Sequence, residues 1–228
     1  MEESKVLLVF GPLQITDTVL STWGLMLVLT LFCVVFTRHL RCETPSKIQV
    51  LLESTVSLIE NLIADILPGQ ARKLVPFIGT LWLFLVFANL LGLIPGLHSP
   101  TGNLSITAAL AIVVFLSVHW YGIQHDGLKN YLRHYLSPTP LMLPFHLISE
   151  ITRTLALAIR LFGNIASLEM AALLVLLVAG FLVPVPLLLL HVIEALVQAY
   201  IFGMLALVYI AGGIQSQQQH KDKREKSS

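Results

Sequence analysis

A chain of 228 residues that is 56% hydrophobic and only 12% charged, with a mean hydropathy of +0.82, is too apolar for an ordinary soluble domain. A formal net charge of +1 gives no electrostatic reason to expect a nucleic-acid partner. The composition points to a polytopic all-α membrane protein.

The beginning, MEESKVLLVF, is acidic and has neither a basic n-region nor a small-residue cleavage site. We expect the first helix to act as the targeting signal, with no removable peptide. A hydrocarbon core about 30 Å thick is crossed by roughly 20 apolar helical residues. On that measure the first crossing is 18–37, closed by Arg38, Arg41 and the turn at Pro45. Cys33 and Cys42 are too few and too poorly placed for a disulfide framework or a metal site, and no metal or cofactor is expected.

The segment 46–67 differs from the spans. Ile48, Leu51, Leu52, Ile59, Leu62, Ile63 and Ile66 recur at helical spacing, and Gln49, Glu53, Ser57 and Glu60 fall opposite them. This predicts an amphipathic interfacial helix. Its acidic polar face favours a protein-facing stripe over a lipid anchor. The second crossing is expected over 76–95 and the third over 104–121, which leads into the charged HDGLKNYLRHYLSPTP. Residues 144–179 and 181–214 are each too long to stand upright in a bilayer, so they are expected to form a long, tilted C-terminal hairpin. A short polar tail, 215–228, follows.

Lys and Arg collect after the first, third and fifth spans: Arg38, Arg41, Lys47, Arg72 and Lys73, then Lys129 and Arg133, then Lys221, Lys223, Arg224 and Lys226. The alternate loops, GLHSPTGN and VPVP, carry no charge. An outside N-terminus and a cytoplasmic C-terminus satisfy all of them.

Ionisable residues inside a membrane helix are costly, by about 2.5–3.5 kcal/mol on insertion scales, and are functional candidates for that reason. Span four holds Glu150, Arg153, Arg160, Asn164 and Glu169; span five holds His191, Glu194 and Gln198. Arg153, Arg160, Asn164 and Ser167 share a helix face, with Glu169 turned about 180° from Arg160. His191, Glu194 and Gln198 make one stripe. If the hairpin reverses near Gly180, residues whose numbers total about 360 lie at equal depth. Glu169 is then level with His191, and Arg160 with the turn containing Gln198.

Structural alternatives stand beside these. Glu150 and Arg153, at i and i+3, suit a structural ion pair with a snorkelling arginine. Glu169 and His191 suit either a buried structural pair or a proton path. His98, His119, His125 and His134 are expected to be solvated, and Asn89 to satisfy a neighbouring backbone or helix. The chain has no GxxxxGK nucleotide loop.

The chain resembles the subunit a family of F-type ATP synthases. RLFGN (Arg160 to Asn164), with Glu169 beyond it, is the most specific motif; LVQAYIF (Leu196 to Phe202) and His191 supply a second. ITDTVLSTW, FANLLGLIPG and PFHLISEITRTLALAIR follow the family in order. It departs at Thr154, often proline, at His146, often glutamate, and at Glu194, which is not usually acidic. The resemblance implies an ion-translocating stator subunit of the bacterial inner membrane, without catalysis of its own. Its hairpin would curve round a rotating c-ring, with b-type peripheral stalk subunits as further partners and the lipid bilayer around it. Two offset half-channels would carry H+ or Na+ between either side and a ring carboxylate, and the positive charge of Arg160 would separate them. Glu169, His191, Gln198, Asn164 and Glu194 are the expected companions of that path. A stand-alone cation channel or antiporter and a purely structural anchor are the competing functions.

Overall fold

The computed structural model describes residues 6–10, 13–38, 46–94, 99–127, 143–179 and 184–225. Six α-helices and one 3-10 turn account for nearly all of them: α1 Asp17–Thr37, α2 Lys47–Ile66, α3 Ala71–Leu91, η1 Pro100–Gly102, α4 Leu104–Asp126, α5 Leu143–Ala179 and α6 Pro184–Glu225. Every α-helix except α2 contains a stretch long and apolar enough to cross a membrane, so the helical fold with five such spans is the one expected. A short antiparallel hairpin, β1 Val6–Phe10 with β2 Leu13–Thr16, precedes them. It was not anticipated, although Gly11 and Pro12 between two apolar runs form a turn signal.

Local chemistry fixes the element ends. Ser46 accepts a hydrogen bond from the Gln49 backbone N–H at 3.2 Å, starting α2 with a serine N-cap. Asn103 does the same for α4 through Ser105 N at 2.9 Å. The helix that carries the second span opens at Ala71, so Pro76 lies inside it. Hydroxyls in the apolar helices turn back on their own backbone, as Thr30 does to the Met26 carbonyl at 2.7 Å, which satisfies them without water.

The core is built on α6. Ala195, Ala199 and Gly203, at steps of four, form a ladder of small buried residues that lets neighbouring helices approach closely. α3 packs along this ladder, and α4 and α5 pack beside it. At Gly203 the approach is so close that a β-carbon would overlap the Trp82 indole. Leu74, Ile78 and Leu85 of α3, Leu157 and Leu161 of α5, and Phe202, Leu207 and Ile210 of α6 are fully buried in the same cluster.

α2 adds Ile59 and Ile63 to that cluster, and Leu67 follows at its C-cap, so its C-terminal half is a protein-facing stripe. Its N-terminal half leaves Ile48 and Leu51 exposed. Gln49, assigned by periodicity to the polar face, is buried, and its amide donates to Glu53 Oε1 at 2.8 Å. The partner one turn along the helix is what makes that burial affordable. α1 is apolar all round and almost entirely exposed, Thr22 being its one buried residue. The hairpin reversal at Gly180, the loops with Arg41, Cys42, His98, Lys129, Arg133 and His134, and the side chains of His125 and Glu169 and of the tail beyond Ile214 lie outside the described residues.

Candidate functional site

Gln198 lies at the centre of the α5–α6 contact and is 2% exposed. Its Oε1 accepts from Asn164 Nδ2 at 2.7 Å, while its own Nε2 finds no acceptor among the described residues. A neutral bond of this kind is worth about 0.5–1.5 kcal/mol net, and leaving it unmade at a buried site costs more. The two residue numbers total 362, which matches the hairpin register expected from a reversal near Gly180. The same register keeps Glu169 and His191 within about a turn of each other in depth.

One turn before Asn164, on the same side of α5, Arg160 is exposed. Arg153 and Ser167, expected on its face, are exposed as well, and Asn164 is half-buried at the edge of that face. None of the described ion pairs involves Arg160. Leu155, Ile159, Leu173, Leu174 and Leu177 of α5 are exposed as well.

His191 is buried, with Nε2 3.4 Å from the Asn89 carbonyl. Asn89 is completely buried and is the hub of a polar cluster. Its Nδ2 donates to the Ala195 carbonyl at 3.2 Å, and its Oδ1 accepts from Thr101 Oγ1 at 2.7 Å. Asn89 therefore satisfies a neighbouring helix as expected. Thr101 lies 2.6 Å from Ser99 Oγ, which donates to the Ala88 carbonyl at 2.9 Å. Two hydroxyl hydrogens thus serve three short contacts, so the cluster holds more than one arrangement of protons. Glu194 is half-buried on the stripe of His191 and Gln198.

At the opposite end of α5, Glu150 Oε2 meets His119 Nε2 of α4 at 3.2 Å. Arg153 sits over the Tyr209 ring of α6, with its guanidinium carbon 4.8 Å from the ring centroid. The described side-chain contacts of Glu150 and Arg153 therefore reach other helices, where i,i+3 spacing alone suggested each other. His119 was expected to be solvated; it is instead half-buried and held by Glu150, by the Phe115 carbonyl at 2.8 Å and against the Phe115 ring. The signal missed is that the end of α4 and the start of α5 lie on the same side of the bundle.

A family model described as ATP synthase A chain matches residues 19–211. The chain belongs to the ATP synthase subunit a family. It is similar to ATP synthase subunit a 1 of Hahella chejuensis, at 62% identity over 93% of this chain and 90% of that one. It is 56% identical to ATP synthase subunit a 2 of Pelobacter propionicus over the whole of both chains. With ATP synthase subunit a of Legionella pneumophila it shares 55% identity over 90% of each. As a subunit a it is a multi-pass, ion-translocating stator component of the membrane sector of an F-type ATP synthase, without a catalytic site of its own.

Proposed function

We propose that Arg160 is the charge against which a ring carboxylate of the c subunits is discharged, and that it separates two aqueous half-channels. The observation that carries this is a pair of neighbours one turn apart on one side of α5: Arg160 is exposed, and half-buried Asn164 beside it reaches buried Gln198 of α6. The amide clasp joins the two long helices one turn along α5 from the charge. A guanidinium stays protonated at any accessible pH, so it lowers the proton affinity of a passing carboxylate and repels cations that would leak between the half-channels.

In this proposal Glu169, His191 and Glu194 line the half-channel toward the α5–α6 reversal, with Asn89 at its wall. The N-terminus is outside the bacterial inner membrane and the C-terminus cytoplasmic. b-type stalk subunits hold the subunit against rotation, and H+ or Na+ is the transported ion. One elementary charge crossing about 100 mV releases about 2.3 kcal/mol, so several ions are needed per ATP made.

The test is Arg160→Ala in the assembled complex, reconstituted in vesicles with an imposed ion gradient. ATP synthesis is expected to vanish while the subunit is still inserted and assembled. Near-normal synthesis by an assembled variant would remove Arg160 from the path. Gradient-driven flux through the purified subunit alone would support a stand-alone channel instead.

A further inference from the structure

We propose that His119 and Glu150 form a proton-binding station at the end of the bundle that carries the charged α4–α5 loop, opposite the cluster around His191. The inference rests on the reading of Arg160 given above and adds to it a titratable site for the other half-channel.

The atoms determine which proton moves. His119 Nδ1 lies 2.8 Å from the Phe115 carbonyl, an oxygen that only accepts, so Nδ1 carries a hydrogen. Nε2 is left as the atom that gains and loses a proton. It faces Glu150 Oε2 at 3.2 Å. One proton placed between them gives an imidazolium beside a carboxylate, or a neutral imidazole beside a carboxylic acid. When that proton leaves, the Nδ1–H imidazole and the carboxylate remain, with the bond to Phe115 intact. Loading and unloading thus need no ring flip and no co-reactant beyond water as donor and acceptor. The two side chains retain 28% and 20% exposure, while the facing oxygen, Glu150 Oε2, is itself buried.

Placement supports the role. Glu150 precedes Arg160 by ten residues of one continuous helix, about 15 Å of rise. By the hairpin register of Asn164 and Gln198, His191 lies about as far beyond Arg160 in the other direction. Two imidazole sites therefore straddle the arginine at similar distances. Among the described residues, the titratable groups at the Glu150 end include His146 and Arg153 of α5, Tyr209 of α6 under the Arg153 guanidinium, Tyr121 of α4 against Phe77 of α3, Asp65 near the end of α2, and Arg72 and Lys73 at the start of α3. Arg153 sits over Tyr209, and the His119 imidazole is a described ion-pair partner of Glu150.

A mere latch between α4 and α5 would need the contact but not its proton. The experiment separates the two in the reconstituted complex, with ATP synthesis measured while the pH on each side of the membrane is varied independently. Glu150→Gln and His119→Gln are each expected to lower synthesis by about tenfold or more. They are also expected to flatten its dependence on the pH of the side bearing the α4–α5 loop, leaving the dependence on the opposite side unchanged. Glu150→Asp, which keeps a carboxylate, should restore the profile. The double variant His119→Gln with Glu150→Gln keeps two amides able to bond each other, so it preserves a latch even if a single variant fails to assemble. Wild-type rate and wild-type pH dependence in the assembled double variant would overturn the proposal. If Arg160→Ala is inactive while these variants are unchanged, only the station falls; if Arg160→Ala is active, the underlying reading falls as well.

Discussion

Replacing Gly203 by alanine sets two known effects against each other. In a helix interior alanine is favoured over glycine by about 0.8–1 kcal/mol, so propensity alone predicts stabilisation. The structure predicts the reverse, because the new methyl would occupy the space of the Trp82 indole, a rigid ring buried between α3 and α6 and stacked on Tyr200 with centroids 5.9 Å apart. Overpacking a core by one methyl costs about 1–3 kcal/mol, and an overlap within a rigid ring belongs at the upper end, which leaves a net loss of about 1–2 kcal/mol. Unfolding of the purified subunit by a denaturing detergent in mixed micelles would measure it. Trp82→Leu in the Gly203→Ala background should recover much of the loss, as a positive coupling in a double-mutant cycle. Stabilisation of Gly203→Ala by the bare propensity value would refute the close α3–α6 approach.

Two further outcomes are expected. In a cycle of Asn164→Ala and Gln198→Ala, stability should show a coupling of about 0.5–1.5 kcal/mol, and zero coupling would remove the amide clasp. The lysine-rich end of the chain should resist a protease added outside the cell and be cut in inverted vesicles; the opposite pattern would reverse the orientation and exchange the two half-channels.

The five apolar helices were legible because length and hydropathy leave a membrane chain few other solutions. So was the pairing depth of the hairpin, since two helices joined by a short reversal must match residues at nearly equal distance from it; Asn164 with Gln198 is the result. The partners of that hairpin were less legible. Ala195, Ala199 and Gly203 announce a close neighbour, but nothing in their spacing says that it is Trp82 of α3. His119 and Glu150 are joined by topology across a long intervening segment, which periodicity does not encode. Gln49 turned inward because a bond to Glu53 satisfied it, a local choice that a hydrophobicity pattern assigns to the wrong face. Glu194 stands half-buried on the expected stripe with His191 and Gln198.

α6 runs unbroken over 42 residues, about 63 Å of rise, against a hydrocarbon core of about 30 Å. Even inclined by about 40°, it spans some 48 Å along the membrane normal, so its last turns stand in water as a rigid post. No proline interrupts it after Pro186, and the consecutive glycines at 212 and 213 are its softest point. That point is braced, because a side chain at Gly213 would already touch Val118 of α4. The helix that carries His191 and Gln198 is therefore mechanically continuous with the aqueous end of the chain. A load applied at that end reaches the polar residues as a tilt of the whole strut, with bending confined to a joint that α4 holds in place.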